Sequence, residues 1–124
     1  MGQILIVEDD ADIRESLLES LEGLGHAVTL AANGREGVEA LARVGRPCLV
    51  LLDVMMPELD GAGFLAELVR RADVEDFRVV VMSADPASIR RIKGLPGIVR
   101  FLDKPIDLDE LLALVANHCG APRE

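Results

Sequence analysis

The sequence predicts one α/β domain in which five parallel strands alternate with five helices. Three observations support this: five apolar runs of strand length, a helical hydrophobic period after each run, and short connections that leave no room for a second domain. The length of 124 residues corresponds to about one domain. Strict alternation favours right-handed crossovers with helices on both faces of the sheet, so we expect a doubly wound, three-layer (βα)5 sandwich.

The predicted strands differ in their content of polar residues. Three of them are nearly unbroken runs of β-branched residues or leucine, which is typical of strands covered on both faces. The second and fifth runs contain Thr29 and Arg100, and a polar interruption favours the sheet edges. In chain order the predicted strands are Ile4–Val7, Ala27–Ala31, Cys48–Leu52, Val79–Met82 and Ile98–Leu102.

The segments between the strands repeat apolar residues at helical spacing. Asn33, with Glu36 three residues later, predicts a cap for the second helix. Asp85 followed by Pro86 predicts the start of the fourth. The apolar stripes are Ile13, Leu17, Leu18, Leu21 and Leu24; Val38, Leu41 and Ala42; Phe64, Leu65, Leu68 and Val69; Ile89 and Ile92; and Leu111, Leu112, Leu114 and Val115. We expect the domain to cover residues 1–120 and residues 121–124 to form a loose tail.

Composition excludes several classes of function. The net charge of −9 would repel nucleic-acid phosphates and anionic lipid, and a chain without Trp or Tyr offers few aromatic rings for stacking bases. No apolar run approaches the roughly 18 residues of a membrane span, and the N-terminus lacks the pattern of a signal peptide. Cys48 and Cys119 fit neither a disulfide framework nor a zinc site. We therefore expect a cytoplasmic protein that binds neither nucleic acid nor membrane.

Charged and hydroxyl side chains follow the predicted strands at the points where they end. Glu8-Asp9-Asp10 follows the first strand, Asp53 the third, Ser83 the fourth and Lys104-Pro105 the fifth. In an open parallel sheet, ligands bind outside the carboxyl ends of the strands. We therefore expect three carboxylates, a hydroxyl and an ammonium group to converge at one edge of the sheet.

Such a cluster of carboxylates favours a bound cation. Two carboxylates about 4 Å apart repel by roughly 4 kcal/mol at an effective dielectric constant near 20. Oxygen ligands without nearby His or Cys favour Mg²⁺ over zinc or copper. A carboxylate can also act as a nucleophile toward a phosphoryl group, and Asp53, at the end of the most apolar strand, is the best candidate.

Four segments together resemble the receiver domain of two-component response regulators. They are Val7–Asp10, Leu51–Gly61, Met82–Ala84 and Asp103–Pro105, and the likeness covers essentially the whole chain. The resemblance implies a flavodoxin-like fold with strand order 2-1-3-4-5, which agrees with the predicted edge strands. It also implies a signalling phosphoacceptor that catalyses only its own phosphorylation and dephosphorylation.

The resemblance assigns roles to individual residues. Asp53 would accept a phosphoryl group from the phosphohistidine of a sensor kinase or phosphotransfer protein. Asp9 would bind Mg²⁺ directly, Glu8 through water, and Met55 through its backbone carbonyl. We expect Asp10 to cap the first helix, with metal binding as the less favoured alternative.

The remaining implied roles concern the switch. Ser83 would turn toward the phosphoryl group, Lys104 would supply its counter-charge, and Phe101 would occupy the aromatic switch position. The Lys104-Pro105 peptide is expected to be cis. Ser83 stands where Thr is commoner, and Phe101 lacks the hydroxyl of a Tyr.

The resemblance also implies a partner surface. The downstream partner would bind the face formed by the fourth helix, fifth strand and fifth helix, with the chain a monomer or weak dimer. The residues two beyond the acceptor and two beyond the hydroxyl, Met55 and Asp85, would tune the lifetime of the phosphorylated state by shaping water access.

Three other functions remain as alternatives. Asp10-Ala11-Asp12 superficially offers the D-x-D pattern of a haloacid-dehalogenase-like phosphatase, although Arg14 does not suit that motif and the nucleophile would have to end the first strand. A flavodoxin would need a Ser/Thr/Gly-rich turn where this chain is acidic. A pseudo-receiver would act only as an interaction module, independently of phosphorylation. The chain could be a stand-alone regulator or part of a longer protein such as a hybrid kinase.

Overall fold

The computed structural model describes residues 2–54, 60–71 and 73–119. All five predicted strands and all five predicted helices are present within this part of the chain. The strands are β1 (Gln3–Val7), β2 (Ala27–Ala31), β3 (Cys48–Asp53), β4 (Phe77–Ser83) and β5 (Ile98–Asp103). The helices are α1 (Ala11–Glu22), α2 (Gly34–Leu41), α3 (Gly61–Val69), α4 (Pro86–Ile92) and α5 (Leu108–Cys119), and a 3₁₀ turn covers Val74–Asp76.

The strands form a single parallel sheet in the order β2-β1-β3-β4-β5. The predicted order and both predicted edge strands are confirmed. All six residues of β3 are buried, whereas β2 is largely accessible along its length. Val7 at the end of β1 pairs with Leu52, which brings Glu8 beside Asp53. The register therefore places the predicted site residues on neighbouring strand ends.

Alternate side chains of each strand enter two separate cores. One core contains Leu5, Val50 and Val79 and packs against α2, α3 and α4, as shown by the buried Leu41, Phe64, Leu65, Leu68 and Ile92. The other contains Ile4, Leu51 and Met82 with residues of α1 and α5, including the buried Leu17, Leu21, Leu111 and Val115. The two cores confirm the three-layer, doubly wound architecture.

Side-chain caps begin the helices where the sequence predicts them. Asn33 Oδ1 accepts from the backbone N–H of Glu36 at 2.8 Å, and the Glu36 carboxylate accepts from the backbone N–H of Ala32 at 2.8 Å. Helix α1 ends at Glu22, and Gly25 has a φ of 93°, which glycine adopts readily. Leu24 therefore lies beyond the helix and is 42% exposed, so its predicted place on the apolar stripe is wrong.

The amino-terminal edge of the sheet carries an ion-pair cluster that sequence patterns did not indicate. Arg46 and Arg71 both pair with Asp73, each at 2.8 Å, and both guanidinium groups lie over the ring of Phe77. The contacts join the segments that precede β3 and β4. Within the described ranges, no helix is long and apolar enough to cross a bilayer.

Candidate functional site

Three carboxylates meet at the carboxyl ends of β1 and β3. One oxygen from each of Glu8, Asp9 and Asp53 lies within 4.8 Å of the other two. Glu8 is fully buried and Asp53 is 3% exposed, whereas Asp9 is exposed. Two carboxylates are thus withdrawn from water while the third faces it. The predicted convergence of acidic side chains is present in the structure.

Lys104 reaches the same cluster from the end of β5. Its Nζ lies 3.0 Å from Glu8 Oε1 and 3.4 Å from Asp53 Oδ2. The backbone N–H of Lys104 donates to the carbonyl of Ser83 at 3.1 Å, which ties the loop after β5 to β4. The Lys104-Pro105 peptide is cis, as predicted. One ammonium group therefore bridges two buried carboxylates.

Burial and crowding change the protonation of this cluster. Burial raises the pKa of Glu8 to about 7, and its hydrogen bond with Asp53 acts in the same direction. Burial alone would lower the pKa of Lys104, but its contacts with Glu8 and Asp53 outweigh that effect and raise it. The lysine therefore stays charged, while near neutral pH the Glu8 carboxyl is partly protonated and a cation could displace that proton.

Ser83 ends β4 one residue beyond Met82, which pairs with Asp53. Its side chain is buried, and its hydroxyl makes two hydrogen bonds with the backbone of Asp85. Phe101 on β5 is half-buried and packs against the core that faces α2, α3 and α4. Both residues lie on the β4–β5 side of the acidic cluster.

Two predicted metal ligands, Asp10 and Met55, remain to be considered. Asp10 Oδ1 accepts from the backbone N–H groups of Asp12 and Ile13 at 2.9 and 3.2 Å, so its side chain caps α1. Met55, the source of a predicted carbonyl ligand, lies outside the described residues. The exposed Asp12 belongs to the first turn of α1, so the D-x-D segment serves to begin a helix.

Arg14 also contributes to the site, although the sequence indicated only that it does not suit the phosphatase motif. Its guanidinium donates to the backbone carbonyls of Glu8 at 2.8 Å and Asp9 at 3.4 Å. These contacts fix the acidic loop from α1. The sequence feature that could have indicated this role is a basic residue near the start of a helix, from which a long side chain can reach the preceding loop.

The donor set suits a hard divalent cation. Carboxylate oxygens are the ligands that Mg²⁺ prefers, and no His or Cys belongs to the three-residue cluster found among the described residues. A dication would also offset the repulsion between Glu8, Asp9 and Asp53, which Lys104 offsets only in part. The residues present therefore fit Mg²⁺.

Comparison with known proteins places the chain in a family. The family model for the response regulator receiver domain matches residues 4–116. Response regulator MprA of Mycolicibacterium vanbaalenii is 43% identical over 112 residues, which are 90% of this chain and 47% of that protein. This chain thus spans about half the length of that curated relative.

Solved structures agree with this assignment. A CheY-like receiver domain protein from Methanospirillum hungatei is 28% identical, with a TM-score of 0.85 over 96% of this chain and 94% of that one. The receiver domain of sensor histidine kinase PA1611 from Pseudomonas aeruginosa, which has a magnesium ion coordinated in its active site cleft, is 26% identical, with a TM-score of 0.78 over 93% and 94% of the two chains. The chain belongs to the response regulator receiver domain family of two-component signalling.

Proposed function

We propose that this receiver domain accepts a phosphoryl group on Asp53 from the phosphohistidine of a sensor kinase or phosphotransfer protein. The observation that supports this most directly is the proximity of Asp53 to two further carboxylates and to the Lys104 ammonium at the carboxyl edge of the sheet. The magnesium-containing neighbour provides a second line of support. Glu8, Asp9 and Asp53, with the carbonyl of Met55, would hold Mg²⁺.

The proposed reaction is a displacement at phosphorus. An Asp53 carboxylate oxygen forms the new P–O bond as the P–N bond of the donor phosphohistidine breaks, and the electron pair of that bond returns to the imidazole. Bound Mg²⁺ would neutralise charge on the phosphoryl oxygens. Lys104 exchanges part of its pairing with Glu8 and Asp53 for a phosphoryl oxygen, and the Ser83 hydroxyl donates to another.

The proposed response to phosphorylation is a conformational change at a protein-binding surface. Phosphorylation brings a charge of about −1.5 to −2 to a site that Ser83 and Lys104 adjoin. Movement of Ser83 toward this charge would draw in the loop after β4 and leave room for Phe101 to turn. The face of α4, β5 and α5 would then bind a downstream protein. A full reversal from 1:99 to 99:1 would require about 5.5 kcal/mol, which a few charge-assisted hydrogen bonds can supply.

Acetyl phosphate with Mg²⁺ tests the proposal without a cognate kinase. We expect mass spectrometry to show one added phosphoryl group, mapped to Asp53, and Asp53→Asn to abolish it. Asp12→Asn is the matched control, because this carboxylate is exposed on α1 and outside the cluster. Modification that survives Asp53→Asn would refute the assignment. Continuous turnover that depends on Asp12 would favour the phosphatase alternative, and no modification would favour the pseudo-receiver.

A further inference from the structure

The loop between β4 and α4 is organised around Asp85. The backbone N–H of Asp85 donates to Ser83 Oγ at 2.9 Å, and Ser83 Oγ donates to the Asp85 carbonyl at 3.2 Å. That carbonyl also accepts from the backbone N–H groups of Ser88 at 3.1 Å and Ile89 at 3.3 Å. The backbone of one residue therefore holds both the Ser83 hydroxyl and the first turn of α4.

The side chain of Asp85 strengthens the same arrangement. Asp85 Oδ1 accepts from the backbone N–H of Ala87 at 3.0 Å, and Oδ2 accepts from Ser88 Oγ at 2.9 Å. These contacts lower the pKa of the Asp85 carboxyl, so it is ionised at neutral pH. Helix α4 has only seven residues, so the contacts of its cap make up a large part of its local stabilisation.

We propose that Asp85 is a positioning residue that restrains the Ser83 hydroxyl and releases the first turn of α4 when Ser83 moves. This inference rests on the proposed function, because it concerns the movement of Ser83 toward a phosphoryl group. A turn of the Ser83 side chain breaks both of its hydrogen bonds with Asp85. Asp85 also caps α4. Once its hydrogen bonds with Ser83 are broken, the Asp85 backbone shifts, and its side chain loses the contacts with Ala87 and Ser88.

The restraint has a measurable cost for ligand binding. The hydrogen bonds of Asp85 stabilise the unphosphorylated conformation. A ligand that binds the other conformation must overcome this stabilisation, so its binding free energy is less favourable by the same amount. A side-chain cap changes an equilibrium constant by about fivefold. We therefore expect Asp85→Ala to bind beryllium fluoride, a phosphoryl mimic, about fivefold more tightly than the wild type in the presence of Mg²⁺.

Three further variants separate the cap from other effects of the substitution. Asp85→Asn keeps a capping oxygen but loses the negative charge, so we expect an affinity close to that of the wild type. Ser88→Ala removes one contact with the carboxylate and should bind about twofold more tightly. Asn33→Ala removes the cap of α2, which follows β2 at the other edge of the sheet, and should leave the affinity unchanged.

Hydrogen exchange of the Ala87 amide provides a second readout. We expect beryllium fluoride to reduce its protection in the wild type and to change it little in Asp85→Ala, where the cap is already absent. Equal affinity of the wild type and Asp85→Ala would overturn the inference. Asp85→Asn binding as tightly as Asp85→Ala would also overturn it, because charge would then explain the gain. A wild type that does not bind beryllium fluoride would refute the proposed function itself.

Discussion

Magnesium affinity should depend strongly on pH, because the buried Glu8 carboxyl has a pKa raised to about 7. The protonated acid cannot act as an ionic ligand, so proton and metal compete for one site. For a pKa of about 7, about one tenth of Glu8 is ionised at about pH 6 and about nine tenths at about pH 8. We therefore expect the apparent dissociation constant for Mg²⁺ to be about tenfold larger at the lower pH.

Titration calorimetry suits this measurement, because the chain has no Trp or Tyr to report binding by fluorescence. Experiments near pH 7 in buffers of different ionisation enthalpy should also show about half a proton released per bound ion. The matched control is Glu8→Gln, which cannot lose a proton and should show a much flatter pH dependence. An equal dissociation constant at both pH values, or a tenfold ratio that persists in Glu8→Gln, would refute the reasoning.

Three further expectations concern stability and lifetime. Gly61→Ala would place a Cβ 2.5 Å from the Cα of Val54 and should lower the free energy of unfolding in urea by about 1–3 kcal/mol. Burial lowers the pKa of His26, so the unfolding free energy should fall as pH drops below about 6.5, by at most about 1.4 kcal/mol per unit, because the unfolded chain then binds a proton that the folded chain lacks. Met55→Asn should change the decay rate of the phosphorylated domain.

Each of these expectations has its own comparison. For Gly45→Ala the three nearest atoms to the new Cβ all belong to the flexible side chain of Gln3, the nearest at 2.8 Å, so it should cost less than Gly61→Ala; an equal loss would contradict the clash argument. His26→Gln should remove the histidine share of the pH slope in urea denaturation, and an unchanged slope would assign it to other groups. Equal decay of radiolabelled wild type and Met55→Asn would remove Met55 from the control of lifetime.

The sequence predicted the fold and the acidic cluster because both depend on local patterns. Each strand end is a change from apolar to polar residues, as at Val7-Glu8 and Leu52-Asp53. A parallel sheet then brings those ends together without further information. The polar interruptions in β2 and β5 were also informative, because these two strands lie at the edges of the described sheet and each is paired on one side.

Features that depend on the final packing could not be predicted in this way. The raised pKa of Glu8 reflects its burial in the folded protein and its hydrogen bond with Asp53, neither of which a local sequence pattern records. The partner of the Ser83 hydroxyl follows from the path of the loop after β4. The cluster of Arg46, Arg71 and Asp73 over Phe77 joins separate connections, and its members look like ordinary surface charges in the sequence.

The contact between Lys104 and Glu8 joins residues 96 positions apart, so it exists only after β5 has paired with β4 and the sheet is complete. A nascent or partly opened chain would contain Asp53 without the neighbouring Lys104 ammonium. Phosphorylation of Asp53, as proposed above, would therefore require a fully folded domain, and a misfolded copy would not respond to a phosphodonor.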